Sequence, residues 1–172
     1  MALTSATLGA QLQAISGSTE GAAITAWSGA WATYFAGAVA NKGGGVSFTT
    51  NPTTIAAARA AMESAMTGLS TSLEADDKVQ TGIIAWWDYL EANPGACFAD
   101  AIIIDKPDLT GIAAALVPIF ADNQDNTHSA AVSCAAIAAS LHGTAAGNVI
   151  IFNLDDNSYE ISPYALTSFL PT

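Results

Sequence analysis

The stretch GAAITAWSGAWATYFAGAVAN, residues 21–41, decides the fold. It carries no charge and is about long enough to span a bilayer, which takes roughly 20 apolar residues. Its large side chains, however, are not spread evenly. Ile24, Trp27, Trp31, Tyr34, Phe35 and Ala38 recur at spacings of three and four, leaving Ala23, Thr25, Ser28, Gly29 and Thr33 elsewhere around a helix. That is a stripe facing a protein core, not a cylinder facing lipid. Trp27 and Trp31 also sit near the middle of the segment, whereas membrane tryptophans favour the two interfaces. The expected element is a buried helix of a folded domain. The alternative is a small membrane protein spanning the bilayer through residues 21–41.

Upstream, residues 5–15 present Leu8, Leu12 and Ile15 on one helical face, with Thr4 or Ser5 as N-cap and Ser16-Gly17-Ser18 as the stop. The aromatic helix starts near Thr19, where Glu20 meets the positive end of the helix dipole, and Lys42-Gly43-Gly44-Gly45 is expected to end it. Val46-Ser47-Phe48-Thr49-Thr50 alternates as an extended segment. Pro52 then opens a third helix to about Leu69, with Ile55, Met62, Met66 and Leu69 inward and Arg59 and Glu63 paired on the outer face. Acidic Glu74, Asp76 and Asp77 precede the seam Val79, Ile83, Trp86 and Leu90 of a fourth helix, which Asn93-Pro94-Gly95 stops.

Residues 98–105, rich in isoleucine, suit a short extended segment. Leu109, Ile112, Leu116 and Phe120 line a fifth helix, which Pro118 either kinks or breaks on its solvent side. Thr127 or Ser129 caps a sixth, running to about His142 and closed by Gly143. Its Ala130, Ala131, Ala135, Ala136, Ala138 and Ala139 allow a neighbouring helix to approach closely. Residues 148–154, a turn at Asp155-Asp156-Asn157 and residues 158–162 read as a β-hairpin ended by Pro163. The fold class is thus mainly α: an Ala-rich bundle of about six helices with a short C-terminal β-hairpin. Residues 1–172 form one helical structural domain, with 148–162 as its appendage.

Fifteen acidic residues against Lys42, Arg59, Lys78 and Lys106 leave a net charge of −11, which disfavours a nucleic-acid partner. The N-terminus lacks the basic region and continuous apolar core of a secretion signal. Cys97 and Cys134 read as buried free thiols, and nothing requires an oxidising compartment.

Residues able to carry chemistry are scattered. His128, Cys134 and His142 have neither zinc spacing nor the arrangement of a Cys–His catalytic pair. Asp122, Asp125, Asp155 and Asp156 lie in turns without the ligand periodicity of a calcium loop. Gly43-Gly44-Gly45 follows a helix and lacks the Gly-Lys-Ser/Thr of a phosphate loop. No catalytic, cofactor-binding or metal-binding residue is assigned. Trp86 belongs to the apolar seam, which leaves Trp87 as an exposed aromatic suited to a protein contact. A two-stranded ribbon is marginal alone, so the hairpin must lie on the bundle, pair with residues 46–50 or pair with another subunit. The candidate contact residues are Trp87, Val149, Ile150, Ile151, Phe152, Tyr159 and Ile161.

Three segments carry a resemblance: Ala22-Ala23-Ile24-Thr25-Ala26-Trp27 leading into Tyr34-Phe35-Ala36-Gly37-Ala38-Val39, then Thr54-Ile55-Ala56-Ala57-Ala58-Arg59-Ala60-Ala61-Met62, then Leu109-Thr110-Gly111-Ile112-Ala113-Ala114-Ala115-Leu116. In their order the chain resembles small Ala-rich accessory structural proteins encoded beside virion genes of tailed bacteriophages. The resemblance implies a non-enzymatic virion component added in several copies to a capsid, neck or tail. Its partners would be other virion proteins and copies of itself as a homo-oligomer, with no nucleic acid, no membrane and no cofactor. Its location would be the virion, and the host cytoplasm before assembly.

Overall fold

Polar side chains at the helix starts set the frame. α1 (Ser5–Gln13) begins at Thr4, whose hydroxyl accepts from the Thr7 N–H at 3.2 Å, and α2 (Glu20–Ala36) begins at Thr19, which accepts from Ala22 N–H at 3.2 Å. Asn51 accepts from Thr53 N–H at 3.0 Å ahead of α3 (Pro52–Thr67), with Pro52 in the first turn, where its missing N–H costs nothing. α4 (Ala75–Ala92) carries Asp76 and Asp77 in its first turn. Before α5 (Ile112–Gln124), the Asp108 carboxylate accepts from Thr110 N–H and from its hydroxyl, and these bonds to the charged form lower its pKa. Ser129 accepts from Val132 N–H at 3.4 Å at the start of α6 (Ala130–Ala145), which runs past Gly143.

The computed structural model describes residues 4–15, 19–43, 46–69, 74–93, 101–105, 107–124, 128–145, 150–153 and 162–163. The chain is mainly helical, with six helices among these residues. Each helix packs against the next in sequence, and α6 closes onto α1. Trp31, Tyr34 and Phe35 of α2 fill the centre of this ring together with Trp86 and Trp87 of α4. Ring centroids are 5.4 Å apart for Phe35–Trp86 and Phe35–Trp87 and 6.2 Å for Trp31–Trp86, all edge to face. The indole N–H groups of Trp31, Trp86 and Trp87 have no conventional acceptor, and edge-to-face stacking is the geometry in which a ring edge meets a neighbour's π face. None of these helices is long and apolar enough to cross a membrane.

Small residues set two of the close approaches. Gly9 lies in α1 against Ala135 and Ala138 of α6, as the alanine content of that helix led us to expect. A Cβ at Gly82 would come within 2.7 Å of Met66 Cγ and Sδ, so the Met66 side chain of α3 packs onto the bare backbone of α4 and would have to shift for any side chain there.

Two expectations change. α2 ends at Ala36 rather than at the 42–45 run. Residues Val39–Gly43 form β1, antiparallel to β2 (Val46–Thr49), with an irregularity between Asn41 and Gly43. An isolated extended segment leaves backbone donors and acceptors unpaired, and the nearest available chain supplies the ladder. Thr50 Oγ1 donates to the Ala36 carbonyl at 2.7 Å, capping the shortened helix from the far end of the ribbon. Secondly, Arg59 and Glu63 do not face outward alone. Glu63 accepts from Thr25 Oγ1 at 2.5 Å and Ser28 Oγ at 3.3 Å, while Arg59 donates to the Thr25 carbonyl at 3.3 Å. The i,i+4 pair, 3.9 Å apart, therefore joins α3 to α2.

β3 (Ala101–Asp105) pairs antiparallel with β4 (Ile150–Asn153), in the register Ile102↔Phe152 and Ile103↔Ile151. β5 (Ser162–Pro163) pairs with the other side of β4. The turn of the expected hairpin and most of its second strand, residues 154–161, lie outside the described residues, as does Cys97.

Candidate interaction face and cavities

The proposed contact residues separate once placed. Trp87 is fully buried, against Phe35, which corrects its reading as an exposed aromatic. α4 lies between α3 and α5 and opposite α2, so it buries a wider arc than one seam, and Trp87 falls inside that arc. Ile150, Ile151 and Phe152 belong to β4, which is the middle strand of the order β3-β4-β5. Their backbone is thus engaged within the chain on both sides at residues 150 and 151. Val149, Tyr159 and Ile161 lie outside the described residues.

A surface that the local patterns did not single out lies on α5 and α6. Ala114, Ala115, Val117, Pro118 and Ala121 form the exposed arc of α5, so Pro118 turns its missing N–H toward solvent as expected. Ala131, Val132, Ala135 and Ala139 form that of α6. Val117 and Val132, each 51% exposed, are the large apolar side chains left open to solvent among the described residues. No Asp, Glu, Lys or Arg occurs between Asp108 and Asp122, or between Asp125 and Asp155. In a chain of net charge −11, α5 up to Ala121 and all of the adjacent α6 thus carry no Asp, Glu, Lys or Arg. The signal was present in the sequence as these two charge-free runs.

The histidines and the cysteine divide similarly. His128 is exposed, whereas His142 reaches inward from α6, with Nδ1 2.5 Å from the Tyr34 hydroxyl on α2. Burial raises the Tyr34 pKa well above its ordinary value of 10.0. Since the folded value exceeds the unfolded one, the stability contributed by the neutral phenol is complete below about pH 10 and is lost as the pH rises beyond it. Urea denaturation followed across that range should show a falling midpoint, and Tyr34→Phe should flatten the fall. A wild-type slope retained in Tyr34→Phe would assign the loss to another group. Cys134 is half-buried and unpaired, and burial raises its thiol pKa, which keeps it protonated and weakly nucleophilic.

Two cavities flank Trp27 and Phe120, which line both. One, of about 230 Å³, is walled by Ile24, Met66 and Val79 and bordered by Lys78 and Glu20. The other, of about 170 Å³, is walled by Leu12, Ile15 and Ile137, with Ser133 and Cys134. Lys78 is largely buried and forms an ion pair with Glu20, joining α4 to the start of α2. No cluster of three or more His, Cys, Asp or Glu suited to a metal ion occurs among the described residues. No family model matches the chain, and neither curated proteins nor solved structures give a match.

Proposed function

We propose that this chain is a non-enzymatic structural subunit of a tailed-phage virion, present in many copies in the capsid, neck or tail and acting through protein–protein contacts. The observation that carries the reading is the uncharged exposed arc from Ala114 to Ala121 of α5 together with that of α6, on which Val117 and Val132 are exposed. Exposed apolar surface marks interaction sites, and on a strongly acidic chain it is where another copy or another virion protein approaches without like-charge repulsion. The resemblance to Ala-rich accessory virion proteins supplies the biological setting. The hairpin of residues 148–162 is a second contact in this reading, and the acidic balance argues against direct binding to the genome.

Val117→Asp combined with Val132→Asp tests it. Both side chains are exposed in the free chain, so the variant should keep the wild-type helical circular dichroism spectrum. In assembly each new carboxylate would be desolvated, and incorporation into particles should fall by at least about tenfold. A folded variant that enters particles at the wild-type level would remove this face from the contact.

A further inference from the structure

We propose that the cavity between α1, α2, α5 and α6 is a binding site for a small uncharged aromatic molecule carrying one hydroxyl group, of the size and chemistry of phenol. Its volume of about 170 Å³ is the first reason. An apolar protein cavity of roughly 150 Å³ takes up benzene. The lining is the second. Trp27 and Phe120 offer aromatic surfaces, Leu12, Ile15 and Ile137 offer aliphatic ones, and no charged side chain borders the space. A charged ligand would lose its hydration there with nothing to replace it.

The third reason is Ser133. It is 5% exposed, lines this cavity, and its hydroxyl has no hydrogen-bond partner. Serine within a helix ordinarily satisfies its hydroxyl on a backbone carbonyl one turn earlier, and a buried hydroxyl left unpaired is costly. Here a hydroxyl without a partner sits at the wall of an otherwise apolar space. A hydroxyl both donates and accepts, so it matches a ligand hydroxyl in either sense. The neighbouring cavity, bordered by the Lys78–Glu20 ion pair, has its cation already matched and presents no comparable orphan. This inference stands apart from the assembly reading, because neither Val117 nor Val132 lines the cavity.

Methyl NMR of the full chain, titrated with phenol, benzene and benzoate, tests the site. Phenol should shift the methyl resonances of Leu12, Ile15 and Ile137 saturably, benzene should do so more weakly, and benzoate should leave them unchanged. Ser133→Ala removes an unpartnered hydroxyl and so leaves the chain folded. It should weaken phenol about five- to tenfold, the equivalent of one hydrogen bond, while leaving benzene affinity as it was. Ser133→Cys, close in volume and a poor donor, should follow the alanine variant. Absence of saturable shifts with phenol up to its solubility, or phenol affinity unchanged in both variants, would overturn the proposal.

Discussion

Trp31→Ala is expected to lower the stability of the folded chain by about 3–5 kcal/mol, the cost of removing a large ring from a packed interior. Trp31 is 1% exposed and stands at the junction of the two elements that meet across the ring of helices. Its centroid is 5.4 Å from Tyr34 and 6.4 Å from Phe35 on its own helix, and 6.2 Å from Trp86 on α4. Truncation would open a void where α2 and α4 touch, and neither helix can collapse into it without leaving its partners on α3. Trp31→Phe should cost much less. It keeps a ring in place and discards an N–H that has no acceptor, so no polar bond is broken. Urea denaturation followed by circular dichroism measures both. An unchanged midpoint in Trp31→Ala would place the ring outside the core.

The second large effect is asymmetric. Glu20→Ala is expected to cost about 1–3 kcal/mol, because it strands the ammonium of Lys78 in a mostly buried position. The Lys78 side chain is 11% exposed and that of Glu20 is 45% exposed, so water screens the carboxylate side and holds the loss below that of a fully buried pair. Lys78→Met should be close to neutral or stabilising, since it removes the buried charge together with its desolvation cost and fills the same space beside Ile24, Met66 and Val79. Lys78 also sits near the start of α4, where a cation opposes the helix dipole, which favours the same outcome. If Lys78→Met proves as harmful as Glu20→Ala, the pair contributes net attraction rather than compensation.

These two cases show what local pattern could and could not reveal. The stripe Ile24, Trp31, Tyr34 and Phe35 was legible because helical periodicity exposes a buried face whatever it packs against. The starts of α1 and α2 were legible for a similar reason, a capping side chain and the N–H it serves being three residues apart, while Pro52 marked the start of α3. Trp87 was not, since a residue beside the seam is buried only if a further element covers it, and that depends on how α4 is surrounded. The same applies to Glu63, whose partners Thr25 and Ser28 lie on another helix. The pairing of Ala101–Asp105 with Ile150–Asn153 joins segments separated by two helices, and neither segment's own pattern names the other. Ser133 carries no signal in the local pattern, because an unpaired hydroxyl is visible only when every neighbour is in place.

The proposed role is that of a subunit acting through contacts rather than through turnover. Quantitative mass spectrometry of the purified native assembly, with imaging to locate the copies, tests this most directly. A virion subunit should show a fixed, multi-copy stoichiometry with particle proteins and density in the capsid, neck or tail. Recovery of the chain free of particles, with no stoichiometric copy in any of them, would contradict it.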